Sequence, residues 1–216
     1  MNINSSLIIW QQNNTTHSAT WQSEANLPPP KKVIIVDDTT KANQAYQFAC
    51  EGTGLLYVGD FQNAKQLLHA MTRRIAKKTV KLGATAAESF HFHRQTQSQR
   101  SRILGMLLIQ VNKNFSIPLR RAPDVTLACQ EVFNDATTDF VISMRELLGL
   151  IGAHEWRKNG VFVRALDKKI FPYYGVFSPV RGEYLELIEK APLPTQSLAF
   201  DIGTGTGVIA ALLGPR

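Results

Sequence analysis

Leu198-Ala199-Phe200-Asp201-Ile202-Gly203-Thr204-Gly205-Thr206-Gly207 runs directly into Val208-Ile209-Ala210-Ala211-Leu212-Leu213. The first five residues read as an apolar strand that carries an acid near its end. The glycine-rich stretch reads as a turn, and the last six residues as the opening of a helix. A strand, a glycine turn and a helix in this order bring bare main chain close to a ligand. Glycine reaches positive φ and has no Cβ to hold the ligand off, and a helix start offers unpaired N–H groups. The spacing narrows the ligand. A dinucleotide fingerprint, G-x-G-x-x-G, needs a glycine where Val208 stands. A Walker loop needs Gly-Lys-Ser/Thr, and this turn has no lysine. A plain glycine turn without a ligand is the alternative; three glycines plus the acid weigh against it.

The pattern Asp201-x-Gly203-x-Gly205-x-Gly207 resembles motif I of class I S-adenosylmethionine-dependent methyltransferases. The resemblance implies that Gly203, Gly205 and Gly207 let the methionine end of that cofactor lie on the backbone. It also implies that Asp201 sits close to the methionine part and that Thr204 and Thr206 line the turn. Upstream, Gly175-Val176-Phe177-Ser178-Pro179-Val180-Arg181-Gly182 is similar to the G-V-F-S segment of a bacterial small-domain group. That group includes rRNA guanine methyltransferases and glutamine methyltransferases of release factors and a ribosomal protein. By this resemblance Phe177, Pro179 and Arg181 join the cofactor-binding set, with core packing the plainer role for Phe177.

The family implies methyl transfer to a nitrogen of a macromolecule, ribosomal RNA or a translation protein. It builds its fold on a seven-stranded sheet, a piece of roughly 150 residues. Nine residues follow Gly207, and the 216 residues hold no downstream N-P-P-[YF] element and no second-strand acid for the ribose hydroxyls. The expectation is a chain truncated after motif I, inactive or incomplete as a catalyst. No residue present is a credible general base, so the reading assigns no catalytic residue and no metal.

Working back from the turn, Val33-Ile34-Ile35-Val36 and Leu55-Leu56-Tyr57-Val58 read as buried strands. Helices are expected over 41–51, capped by Thr39 or Thr40, and over 61–77, capped by Asp60. A third helix runs from about Glu88 to Leu108 or beyond. Phe115–Leu119 reads as a strand, and Asp124 starts a short helix reaching Phe133. A longer helix covers about Ser143–Lys158, with Gly160 as its stop. Val161–Val163 and Lys169–Phe171 suggest a hairpin, followed by a helix near Gly182–Lys190. The polar, Asn/Gln/Ser/Thr-rich residues 1–31 end in Pro28-Pro29-Pro30 and read as a flexible arm, which Trp10 and Trp21 dock on the body in an alternative reading. The fold class is therefore α/β. An accessory, substrate-facing α/β domain over 32–160 precedes the beginning of a Rossmann-like methyltransferase domain over 161–216.

Composition sets wider bounds. Of 216 residues, 44% are hydrophobic and 19% charged, which excludes wholesale disorder. Cys50 and Cys129 cannot form a disulfide framework and fit buried thiols in a reducing compartment. No apolar run reaches the roughly 20 residues of a membrane-spanning helix, and Leu7–Trp10 is too short for a signal peptide. The expectation is a cytoplasmic protein with no membrane partner.

The net charge is +7, and residues 73–102 alone carry that surplus. Arg73, Arg74, Lys77, Lys78 and Lys81 offer a track for nucleic-acid phosphates, with Phe90, Phe92, His91 and His93 available for stacking. The alternative function is thus a non-enzymatic RNA- or ribosome-binding module, and a solvated helix face is the plainer reading. Lys32–Asp38 resembles the start of a response-regulator receiver domain, but Asp60 comes too early for the phosphoryl acceptor. His91 and His93 point apart on a helix and cannot chelate there, and His154-Glu155 lacks the second histidine of H-E-x-x-H.

Overall fold

The computed structural model describes residues 6–77, 81–133, 136–178, 182–195 and 197–215. It is a mixed α/β structure with one six-stranded mixed sheet and seven α-helices among the described residues. The chain divides into two compact units, Met1–Leu148 and Gly149–Arg216.

The first unit starts with β1 (Leu7–Gln12) and β2 (Thr15–Gln22), an antiparallel pair in which Leu7 faces Thr20 and Gln12 faces Thr15. Asn13 and Asn14 turn the chain with φ of 50° and 59°, the left-handed pair that a two-residue hairpin needs. Residues 7–22 of the expected flexible arm are thus a β-hairpin. Ile8, Trp10, Ala19 and Trp21 alternate inward and are buried, so the segment has an apolar face to hold it down. Trp10 stacks on His17, and the Trp21 indole N–H donates to the Leu27 carbonyl at 2.7 Å.

The sheet continues through β3 (Lys32–Val36), β4 (Thr53–Tyr57), β5 (Leu107–Val111) and β6 (Phe140–Ser143), in the order β1-β2-β6-β5-β4-β3. β3, β4 and β5 run parallel, β6 is antiparallel to β5, and β2 joins β6 in parallel. All five residues of β4 are buried, as expected for a strand covered on both faces. Gly54 is required there, because a Cβ would stand 2.9 Å from Leu108 Cδ1 and 3.1 Å from Pro30. Ile8, Trp10, Ala19, Trp21, Leu56, Leu108 and Val141 form one cluster on one face, with Val33 and Ile35 packed against it. No helical residue belongs to that cluster. The end strands β1 and β3 approach each other without pairing, so the sheet curls around its own side chains.

Helices α1 (Ala42–Cys50), α2 (Phe61–Ala76) and α3 (Ala86–Leu104) pack together, with α1 also on β4. α2 turns Phe61, Ala64, Leu67, Leu68, Met71 and Ile75 inward, a stripe at helical spacing. Asp60 caps it by accepting from Gln62 N–H at 2.9 Å, as the sequence predicts. Thr39 and Thr40 do not cap α1: Lys41 holds that position without a side-chain bond, and Thr39 donates to Asp37. α3 ends at Leu104, short of the expected Leu108, because Met106 breaks out of the helix and β5 begins. Phe115–Leu119 forms no strand. Phe115 has φ of 63° and its N–H returns to the Asn112 carbonyl, which makes a turn. α4 (Thr126–Phe133) follows an Asx contact from Thr126 N–H to Asp124. Both cysteines are free; burial pushes the Cys129 thiol up to about 11.

α5 spans Met144–Asn159, and the division between units falls inside it rather than after Gly160. Its later turns belong with the second unit: Lys169 Nζ donates to the Asn159 carbonyl, and the Arg157 guanidinium lies 3.4 Å over the Tyr173 ring. That unit also holds β7 (Val161–Val163), a 3-10 turn, β8 (Lys168–Ile170), α6 (Glu183–Lys190) and α7 (Val208–Leu213). Val163, Leu185, Val208 and Leu212 form its small core, flanked by Ala165, Leu166, Ile170, Tyr184 and Ile209.

Candidate functional site

The glycine turn lies between residues 201 and 207 of the second unit. Gly203, Gly205 and Gly207 have φ of 80°, 55° and 75°. L side chains seldom tolerate these values, so the three glycines are needed where they stand. Thr204 Oγ1 donates to the Asp201 carbonyl at 2.8 Å, and Gly207 N–H donates to the Thr204 carbonyl at 2.9 Å. Gly207 caps α7, and its carbonyl accepts from Ala211 N–H.

The turn meets the second predicted segment. A Cβ on Gly205 would stand 3.0 Å from the Phe177 carbonyl oxygen and 3.4 Å from Phe177 Cβ. The main chain at Gly205 therefore lies directly against Phe177, two stretches that sequence alone separates by 27 residues. Pro179 and Arg181 lie outside the described residues.

Two polar atoms here are buried without a hydrogen-bond partner among the described residues: Asp201 Oδ2 and Ser178 Oγ. A buried polar atom left unpaired is costly. Ser178 stands within the Gly175–Gly182 segment, but nothing in the sequence assigns it a role; its burial beside Phe177 is a signal that only the fold supplies. Asp201 also lines a hollow of about 480 Å³ with Thr195, Ser197, Leu198, Ala210 and Leu213. Of the predicted cofactor residues that are described, Asp201 alone lines that hollow. Gly203, Thr204 and Gly205 are exposed, and Thr206 and Gly207 are half-buried.

The expected strand Leu198–Ile202 does not form. These residues carry no ladder bonds, with Phe200 80% and Ile202 94% exposed. The only ladder in the second unit among the described residues is the β7–β8 pair, so this mostly apolar segment has no described strand beside it to pair with.

A second polar group gathers at the C-terminal ends of β3 and β4. Asp38 accepts from the Tyr57 hydroxyl at 2.7 Å, from Asp60 N–H at 3.0 Å, and from Arg120. Arg121 grips Asp60 with two bonds of 2.6 and 2.8 Å. The Tyr57 hydroxyl, then the Asp60 N–H, hold the Asp38 carboxyl down to about 2. Burial, then Asp38 itself, push the Tyr57 phenol up. Arg121 lowers Asp60. The acids that a receiver domain would offer to magnesium are thus committed elsewhere, Asp38 to Tyr57 and Arg120 and Asp37 to Thr39. Among the described residues no group of three or more His, Cys, Asp or Glu gathers for a metal.

The basic window is largely helical. Arg73 and Lys77 are exposed on α2 and at its cap, and Arg74 Nε donates to Asn43 at 2.6 Å. Lys81 sits 5.2 Å over the Phe92 ring and Arg94 5.9 Å over Phe90. Lys78 lies outside the described residues. No helix among the described residues is long and apolar enough to cross a membrane. No protein-family model matches the sequence, and a search of curated proteins gave no match.

Proposed function

We propose that the chain is an S-adenosylmethionine-dependent methyltransferase by lineage, whose residues 201–207 and Phe177 receive the methionine end of the cofactor. One observation carries the reading. A turn with three left-handed glycines sits against Phe177, beside an Asp201 carboxylate oxygen that is buried and without a hydrogen-bond partner among the described residues. The donor set suits the group. Asp201 offers a charged acceptor for an ammonium, and the exposed main chain at Gly203–Gly205 leaves room for close approach.

When bound, the cofactor supplies an electrophilic methyl on a sulfonium. The protein residues bind and orient. Asp201 would anchor the amino-acid end, the Gly205 main chain would set its depth, and Phe177, packed on Gly205 but itself largely exposed, would border the turn. The acceptor in this reading is a nitrogen of a macromolecule, ribosomal RNA or a translation protein, and the basic surface of α2 and α3 suits either. The 216 residues contain no N-P-P-[YF] element to hold that nitrogen, so cofactor binding, rather than turnover, is the property to measure.

Calorimetric titration of the chain with S-adenosylmethionine and S-adenosylhomocysteine tests this. The expected result is saturable binding that Asp201→Asn weakens by about tenfold or more and Gly205→Val abolishes. Absence of binding to the folded chain, or binding indifferent to both substitutions, removes the proposal.

A further inference from the structure

The first unit holds a separate recess of about 290 Å³ between α2, α3 and the first turn of α5. Leu68, His69 and Thr72 come from α2 and Gln97, Arg100, Ser101 and Leu104 from α3; Leu68 with Thr72, Gln97 with Ser101 and Arg100 with Leu104 stand four residues apart and so lie side by side. Arg145 closes the remaining side. The charged groups of the lining are two guanidiniums, Arg100 and Arg145, with no carboxylate among its residues. Arg145 Nη1 donates to Ser101 Oγ at 2.7 Å, which fixes that guanidinium and leaves the Ser101 proton to donate. Arg100 is half-buried and has no hydrogen bond or ion pair among the described residues. A partly desolvated cation without a partner is unfavourable until an anion reaches it.

We propose that this recess binds a phosphate monoester, held by Arg100 and Arg145. Two guanidiniums match the charge of about −1.5 to −2 that a monoester carries near neutrality better than the single charge of a diester. The guanidinium fork fits phosphate oxygens in pairs. Ser101 adds a neutral donor. Thr72 does not, because its hydroxyl proton is committed to the Leu68 carbonyl at 2.9 Å. Buried Leu68 and Leu104 give the esterified group an apolar surface. Outside the recess, Arg73 and Lys77 follow His69 at four-residue steps along α2, a basic stripe that draws anions toward the opening. A free mononucleotide and the 5′-phosphate end of an RNA chain present the same group, and the experiment separates them.

The test titrates the full chain with adenosine monophosphate, adenosine, and a short single-stranded RNA carrying either a 5′-phosphate or a 5′-hydroxyl. Adenosine monophosphate is expected to bind and adenosine not. Arg100→Met and Arg145→Met should each weaken binding by about tenfold or more, with Arg100→Lys intermediate and thermal melting unchanged. If the phosphorylated RNA binds more tightly than the mononucleotide, the natural group is a nucleic-acid end. If the two match, it is a free nucleotide. Equal affinity for the two RNAs, equal affinity for adenosine and its monophosphate, or indifference to both substitutions overturns the proposal. Arg145 is exposed, so its variant keeps the test valid should Arg100→Met fail to fold. Binding of S-adenosylmethionine should not change in either variant, which separates this result from that of the preceding proposal.

Discussion

The first unit buries its apolar strand β4 from both sides, whereas the second leaves an apolar stretch exposed. β4 carries Leu55, Leu56 and Tyr57 with almost no exposure, between β3 and β5. Leu198–Ile202 has a similar composition, yet Leu198, Phe200 and Ile202 are exposed. The difference is in the neighbours rather than in the local sequence. A strand of this kind is stable only when its N–H and C=O groups are paired and both faces are covered. β4 has a ladder on each side; residues 198–202 have none among the described residues.

Substitutions can break that contrast. The largest effect is expected at Trp21, buried within the curled sheet. Trp21→Ala should cost about 3–5 kcal/mol in urea unfolding. A change below about 0.5 kcal/mol, the range of a surface substitution, would return residues 1–31 to a dispensable arm. Leu108→Ala, which empties the centre of the same cluster, should cost about 2–5 kcal/mol. Gly205→Ala is expected to cost about 1–2 kcal/mol within the second unit, because it forces an alanine to φ of 55°. Ile202→Ser should lie within about 0.5 kcal/mol. A large loss there would reveal a covered strand and erase the contrast.

A pH series sharpens the picture of the first unit. The Asp38 carboxyl is lowered from 3.8 to about 2 in the folded chain. A depressed folded value stabilises above the unfolded value and fades as the pH falls through the folded one. The Asp38 contribution should therefore be complete above pH 4 and disappear between about pH 4 and pH 2. The urea midpoint of Asp38→Asn should lack that component of the decline; parallel curves for the two proteins would show that the Tyr57 and Arg120 contacts do not hold in solution.

Much of the first unit was legible in its residues. Val33–Val36 and Leu55–Tyr57 announced β3 and β4 by continuous apolar content, and Asp60 with the Ala64, Leu67, Leu68, Met71 stripe announced α2. The hairpin escaped because its strands are mostly polar, and only Ile8, Trp10, Ala19 and Trp21 alternate. Asn13-Asn14 was the readable cue, a pair suited to left-handed turns. β5 escaped because Ile103–Ile109 carries no polar side chain as it crosses from helix to strand, and period alone cannot divide it. In the site, the spacing of Gly203, Gly205 and Gly207 signals positive φ, whereas the contact of Phe177 with Gly205 is visible only in the fold. The absence of a strand before them was not, since pairing depends on residues far away in the chain. The recess at Arg100 and Arg145 escaped altogether, because the two arginines are 45 residues apart and only the fold makes them neighbours.

The parallel bond between β2 and β6 has a practical consequence for anyone shortening this polypeptide. Trimming it back to Lys32, as its polar, proline-terminated opening invites, would strip β6 of a partner and leave its amide row bare. Phe140-Val141-Ile142 would then be an unguarded rim, ready to recruit the same rim from another molecule. Such a shortened product should precipitate rather than merely lose stability.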